Sequence, residues 1–148
     1  MSAWPALGCA VYISALWPGL AWAEQAVRAA PYIVHYAAIR TTDLTPVVAR
    51  QFDVQRSGRQ ALLVLNVQRD TGAALPEPVP ATASGHVTSL LGHRQRLALR
   101  PHQEAGVHYV LATFETLTAE YLTLDLQVTP EGAEAPIAVK FQQQFFNE

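Results

Sequence analysis

The feature that most constrains the fold of this chain is a strict alternation of apolar and polar residues between Tyr121 and Val128. Leucine or valine stands at positions 122, 124, 126 and 128, and polar residues stand between them. A period of two puts every second side chain on one face of a β-strand, whereas a helix requires a period near 3.6. The segment is therefore predicted to be a strand that turns one face toward an apolar core.

Six further segments show a similar pattern, and residues that favour turns separate them. The predicted strands are 32–39, 60–69, 79–90, 94–100, 107–115, 121–128 and 136–146. Short strands at regular spacing bury their apolar faces when two sheets cover each other. We expect an all-β fold, an immunoglobulin-like antiparallel β-sandwich of about seven strands. A closed barrel is the alternative.

One segment between the first two predicted strands has a helical signature. Thr45 precedes Pro46; threonine caps free amides, and proline at the first helical position gives up a donor that has no partner. Val48 and Phe52 lie four residues apart and would share the buried face of a helix. We predict about two helical turns over 45–52, lying over an open end of the sandwich.

The amino-terminal residues have the composition of a secretory leader. Glu24 is the first charged residue, an apolar run covers 6–17, and Ala21-Trp22-Ala23 has the small residues that signal peptidase requires. Residues 1–23 are therefore predicted to be a signal peptide, and 24–148 a single exported β-sandwich domain. The alternatives are that this uncharged stretch is retained as a membrane anchor, or that Cys9 is lipidated.

The predicted mature chain contains no cysteine or methionine, and its net charge is small. Cys9 and Met1 are the only cysteine and methionine, and both lie in the leader. The formal net charge of the whole chain is −2 at pH 7. Neither property favours a nucleic-acid partner, a copper(I) cargo held by soft ligands or, after cleavage, attachment to an acidic membrane. We expect no cofactor.

Several short segments carry a resemblance to a known family. They are Val34-His35-Tyr36, Leu44-Thr45-Pro46-Val47-Val48-Ala49, Arg56-Ser57, Asn66-Val67 and Val139-Lys140-Phe141-Gln142-Gln143-Gln144-Phe145-Phe146. In these segments the chain resembles an uncharacterised family of small exported proteins of Gram-negative bacteria, the domain-of-unknown-function family 4426. The resemblance implies a periplasmic β-sandwich and supplies no catalytic residues.

Two histidines are candidates for a metal site. The tripeptide Val-His-Tyr occurs at 34–36 and at 107–109, so His35 and His108 both fall inside predicted strands. If those strands faced each other, the two imidazoles would begin a zinc or copper site. A structural zinc site normally has four ligands and a catalytic one has three plus water, so ordinary hydrogen-bonded histidines are the simpler interpretation.

The sequence contains no catalytic motif that we identify. No serine lies in a Gly-x-Ser-x-Gly frame, and several carboxylates stand beside Gly or Pro, where solvated turn residues are expected. We therefore expect a protein that is not an enzyme. A hydrolase or transferase would require a concave site that gathers several polar groups.

Two groups of residues are candidates for binding a partner. Arg50, Arg56 and Arg59 lie around the helical segment and would meet a carboxylate or phosphate, although a solvated basic loop is the simpler interpretation. Phe145 is predicted to point inward from the last strand, so its neighbour Phe146 would point to the opposite face. We predict a non-enzymatic periplasmic binding or accessory module, which engages a protein or peptide through a strand edge or the helical insert.

Overall fold

The computed structural model describes residues 25–116 and 119–146. Within them the chain forms ten strands, one helix and one 3₁₀ turn. The strands are β1 (Gln25–Ala29), β2 (Tyr32–Arg40), β3 (Gln60–Arg69), β4 (Glu77–Val79), β5 (Ala81–Ser89), β6 (Arg94–Arg96), β7 (Arg100–Glu104), β8 (Val107–Glu115), β9 (Tyr121–Pro130) and β10 (Ile137–Gln144). The 3₁₀ turn (Thr41–Asp43) and helix α1 (Pro46–Gln51) lie between β2 and β3.

The strands form two antiparallel sheets. The larger sheet has the order β1-β2-β3-β8-β7, and β4 pairs with the end of β3 that β8 leaves free. The smaller sheet has the order β10-β9-β5-β6. The chain passes from one sheet to the other after β4, after β6 and after β8. Pro80 suits the first crossing, because proline has no amide N–H to donate to a ladder.

The main apolar core lies between the two sheets. The alternating leucines of β9 are at most 3% exposed and face inward, as the sequence pattern predicts. Phe114 of β8 and Phe145 beyond β10 meet edge to face in this core, with 5.6 Å between ring centroids. Burying one leucine or phenylalanine side chain contributes about 1.5–3 kcal/mol, so this layer is the main source of stability.

A second apolar cluster lies on the outward face of the larger sheet, beneath the insert (residues 41–59, between β2 and β3). Every residue of β3 from 61 to 65 is at most 5% exposed, which requires cover on both faces of the strand. Leu62 and Val64 turn outward against Phe52 of the insert, whereas Leu63 turns inward. The insert therefore closes this face of the sheet.

Local hydrogen bonds fix the two ends of α1. The Thr45 hydroxyl accepts a hydrogen bond from Val48 N at 3.3 Å, and Pro46 occupies the first helical position. Arg100 of β7 donates to the carbonyl of Phe52 at the other end, where a helix leaves carbonyl groups without an internal donor. The helix is thus capped at its start and tied to the sheet at its end.

The base of the insert is closed by a second set of hydrogen bonds. The buried Thr41 hydroxyl donates to Ser57 O and accepts from Ser57 N, both at 2.8 Å. Arg56 donates to the carbonyl of Thr42 at 2.9 Å. These bonds join the strand that enters the insert to the segment that leaves it.

The predicted all-β sandwich is confirmed, and its strand count differs from the expected one. The predicted strands 79–90 and 94–100 are each divided, because the chain changes sheets within them. β1 is an additional strand that sequence patterning missed, since Val27 is its only large apolar residue. The expectation that the helix lies over an open end of the sandwich is wrong, because it packs on the outward face of the larger sheet.

The predicted signal peptide, residues 1–23, lies outside the described residues. Among the helices within 25–116 and 119–146, none is both long and apolar enough to cross a lipid bilayer.

Candidate functional site

Five strands have an edge that no other described strand pairs with, and β10 differs from the other four. β4 and β6 are three residues long and β1 is five, while β7 includes Pro101, which cannot donate to an added strand. β10 runs for eight residues and pairs with β9 along its whole length. No described strand pairs with its other side, so about half of its backbone N–H and C=O groups face away from the sheet.

Inward side chains hold β10 firmly against the larger sheet. Val139 is fully buried, and the ring centroid of Phe141 lies 4.6 Å from that of Tyr36 on β2. Gln143 Nε2 donates to the carbonyl of Ala38 at 2.8 Å. An edge strand that is already ordered in this way has less conformational freedom to lose when another strand pairs with it.

The aromatic ring of Phe146, two residues beyond β10, is exposed although its backbone is held in place. Its side chain is 55% exposed, whereas that of Phe145 is 2% exposed. The Arg40 guanidinium donates to the carbonyl of Phe146 and also pairs with Asp43 at 2.8 Å. Exposed aromatic side chains on a fixed backbone are frequent anchors for protein partners.

A second exposed aromatic side chain lies at the same end of the smaller sheet. Tyr121 begins β9 opposite Gln144 of β10, and it is 46% exposed. Gln144 Nε2 donates to the carbonyl of Ala119 at 2.7 Å, which ties this end of the two strands together. Sequence patterning alone does not single out Tyr121, although the outward phase that it shares with Thr123 is a signal of exposure.

The three arginines predicted as an anion site have different surroundings. Arg56 donates to the carbonyl of Thr42, so its side chain stabilises the insert. The backbone carbonyl of Arg59 accepts a hydrogen bond from Thr116 N at 2.8 Å, and its side chain is exposed. Arg50, in the last turn of α1, is also exposed. Binding by these arginines stays a prediction.

His35 and His108 lie on opposite faces of the larger sheet. Antiparallel pairing sets His35 opposite Asn66 and Asn66 opposite Tyr109, so these three side chains share one face. His108 precedes Tyr109 in β8 and therefore turns to the other face. The condition for a shared metal site, that the two imidazoles lie on one face, is therefore not met by this pairing, and His35 Nε2 lies 3.0 Å from Gln68 Oε1.

The same conclusion holds for larger groups of metal ligands. In the parts of the chain that the structure describes, no three or more His, Cys, Asp or Glu side chains are placed to hold one metal ion.

A family match places the chain among known proteins. Residues 27–148 match the family described as "Domain of unknown function (DUF4426)". Because the match spans most of the sequence, the chain belongs to the DUF4426 family, and the resemblance seen in the sequence is confirmed. No curated protein matches the chain.

Solved structures share the fold. A DUF4426 family protein from Pseudomonas aeruginosa PAO1 is 27% identical, with a TM-score of 0.72 over 84% of this chain and 96% of that one. A copper-bound variant of FetP from uropathogenic Escherichia coli strain F11 is 12% identical, with a TM-score of 0.61 over 86% and 97%. FetP as isolated, recombinantly expressed in the periplasm of E. coli BL21(DE3), is 10% identical, with a TM-score of 0.60 over 84% and 94%. At these identities the FetP structures establish a common fold.

Proposed function

We propose, from membership in a family of unknown function and from the geometry of β10, that this chain is a non-enzymatic periplasmic module that binds a peptide segment of a partner protein. The segment would add as a strand to the edge of the smaller sheet. The observation that carries the proposal is the eight-residue edge of β10, unpaired on one side among the described residues. In strand addition, backbone hydrogen bonds supply affinity and alternate side chains supply specificity.

The side chains around this edge indicate the chemistry of the partner segment. Lys140 is the only charged residue of β10, and the outward positions beside it carry alanine or glutamine. The exposed rings of Phe146 and Tyr121 lie at one end of the edge. The partner segment is therefore extended, with a polar or acidic residue near Lys140 and an apolar residue that packs on Phe146.

Site-specific photo-crosslinking in the periplasm tests the proposed edge. A photoreactive amino acid replaces Gln142 of β10 in one full-length variant and Gln103 of β7 in a matched control, and both positions are exposed. We expect adducts with a partner from position 142 only, and fewer adducts when Phe146→Ala is added. Equal adducts from both edges, or adducts with the mass of two copies of this chain, would contradict the proposal.

Binding of a peptide derived from the captured partner then tests the mode of recognition. Amide hydrogen exchange of the full chain should slow along 137–144 in the complex and remain unchanged along 100–104. The double variant Arg50→Ala/Arg59→Ala should bind equally well; Arg56 is left in place because it supports the insert. Slowing confined to residues 41–59 would move the site to the insert.

The proposed periplasmic location is supported by the leader-like residues 1–23 and by the fold shared with FetP, which was expressed in the periplasm. The intact mass of the chain recovered from a periplasmic fraction tests this part. We expect the mass of a chain that begins at Glu24. A recovered chain that retains residues 1–23 would contradict cleavage.

Metal binding is the second candidate function, and the copper-bound state of FetP is the observation that favours it. It would require ligands other than a His35–His108 pair, because those side chains lie on opposite faces of the sheet. Elemental analysis of the purified chain decides between the outcomes. Stoichiometric copper or zinc supports this candidate, and a metal-free chain after incubation with either ion rejects it.

A further inference from the structure

The outward face of the smaller sheet differs in charge from the chain as a whole. The complete sequence has 10 Lys and Arg against 12 Asp and Glu. The outward strand positions of this face instead carry three cationic side chains, Arg94, Arg96 and Lys140, against the single carboxylate of Asp125. Positive charge is thus concentrated on one surface of an otherwise slightly acidic protein, and such a surface attracts anions.

A cavity of about 610 Å³ opens on this face. Pairing across three strands forms it, because His86 of β5 lies between Asp125 of β9 and Arg96 of β6. Arg94, Ser84 and Gln127 complete the polar lining. Its volume falls within the range of small-molecule sites, about 300–1,000 Å³.

The hydrogen bond between Arg94 and His86 defines the chemistry of the imidazole. Arg94 Nη2 lies 3.1 Å from His86 Nδ1. A guanidinium group only donates, so in this arrangement Nδ1 accepts and the remaining ring proton is on Nε2. In a Ser-His-Asp triad Nδ1 would instead donate to the aspartate, so Ser84, His86 and Asp125 are not arranged for nucleophilic catalysis even though they line one cavity.

The cations of this cavity are available to a ligand. In the described parts of the chain, neither Arg94 nor Arg96 forms an ion pair with a carboxylate. Both side chains are exposed, and they stand two residues apart on β6, which puts them on the same side of the sheet. Each guanidinium group can donate paired hydrogen bonds to an oxyanion, and both lie on the same side of the sheet.

We propose that this cavity binds the carboxylate or phosphate group of a small molecule. Arg94 and Arg96 hold the oxyanion, and the His86 Nε2–H and the Gln127 amide donate further hydrogen bonds to the ligand. Asp125 also lines the cavity, so its carboxylate lowers the net positive charge that the ligand meets. The site lies on the sheet face rather than on the β10 edge, so it stands independently of the peptide-binding proposal.

A titration of the full chain with inorganic phosphate and, separately, with acetate tests the site at constant ionic strength. Two-dimensional ¹⁵N–¹H spectra should show saturable shifts for residues of β5, β6 and β9 that line the cavity. The tighter of the two probes identifies the preferred oxyanion. Saturable shifts with neither probe, or shifts spread evenly over both sheets, would overturn the proposal.

Matched variants separate a shaped site from general electrostatic attraction. Arg94→Ala/Arg96→Ala should weaken binding by at least about tenfold, whereas Arg50→Ala/Arg59→Ala removes the same charge elsewhere and should change it by less than about twofold. Arg94→Lys/Arg96→Lys keeps the charge and should still weaken binding, because lysine lacks the planar fork. Equal loss in both alanine variants, or full binding by the lysine variant, would contradict the site.

Discussion

The outward faces of the two sheets differ, although both sheets cover the same core. On the larger sheet the insert packs Phe52 over Leu62 and Val64, which forms a second apolar cluster. On the smaller sheet the equivalent surface carries Arg94, Arg96 and Asp125, and neither apolar cluster of the described residues lies on it. One face is closed by an apolar insert, and the other carries charged and polar side chains.

The difference has its origin in the composition of the central strands. β3 is apolar at consecutive positions, so it must be covered on both faces. β9 alternates strictly, so it needs cover on one face only. The insert is therefore a structural requirement of β3, and both binding sites proposed above, the β10 edge and the polar face, belong to the smaller sheet.

The largest expected effect comes from the closed face. Leu62→Ala removes a fully buried side chain beneath the insert and should lower the free energy of unfolding by about 2–5 kcal/mol. Gln127→Ala on the open face is the matched control and should change it by no more than about 0.5 kcal/mol. Urea denaturation measures both, and similar losses would mean that the faces do not differ in packing.

A methyl group at Gly85 tests the packing between the two strands at the centre of the smaller sheet. An added Cβ would lie 2.4 Å from the carbonyl oxygen of Asp125, so Gly85→Ala should destabilise the fold by about 1–3 kcal/mol. Gly58→Ala, in the insert, has no atom within 4 Å of the added carbon and should shift the free energy of unfolding by about 0.5 kcal/mol or less. Thermal unfolding of the two variants gives the comparison, which fails if Gly85→Ala is neutral.

The helix cap tests how firmly the insert is held. Thr45→Ala removes the acceptor for Val48 N and should cost about 1 kcal/mol, whereas Thr45→Ser keeps the hydroxyl and should cost less. Faster amide exchange across α1 should accompany the alanine variant. Equal stability of the two variants would show that the cap is not what fixes the start of the helix.

The smallest effect is expected on the open face. Arg94→Ala/Arg96→Ala removes two exposed side chains that form no ion pair among the described residues, so stability should change by about 0.5 kcal/mol or less per substitution. A loss as large as that of Leu62→Ala in the same urea experiment would mean that these arginines support the fold rather than a ligand.

The parts of the fold that depend on local patterns could be predicted from the sequence. The alternation over 121–128 predicts β9 and its inward leucines, and Thr45-Pro46 predicts the start of α1. The position of the insert was not predictable in the same way. It depends on contacts between Phe52 and strands far from it in the sequence, and local pattern does not specify such contacts.

The candidate sites could also be predicted only where they depend on the pattern within one strand. The phase of Phe146 relative to Phe145 is visible in the sequence and matches their exposure. Which side chains share a face with His35 depends on the pairing of His35 with Asn66. The pattern within one strand does not reveal how that strand pairs with its neighbour. The cavity around His86 combines residues of three strands, and only the pairing of those strands brings them together.

Amide hydrogen exchange of the free full-length chain, resolved by residue, tests the central claim most directly. If the edge of β10 is open, amides along 137–144 should alternate between fast and slow exchange, while those of 61–65 are uniformly slow, independently of protein concentration. Uniformly slow exchange along 137–144 would show that this edge is already covered and would contradict the account.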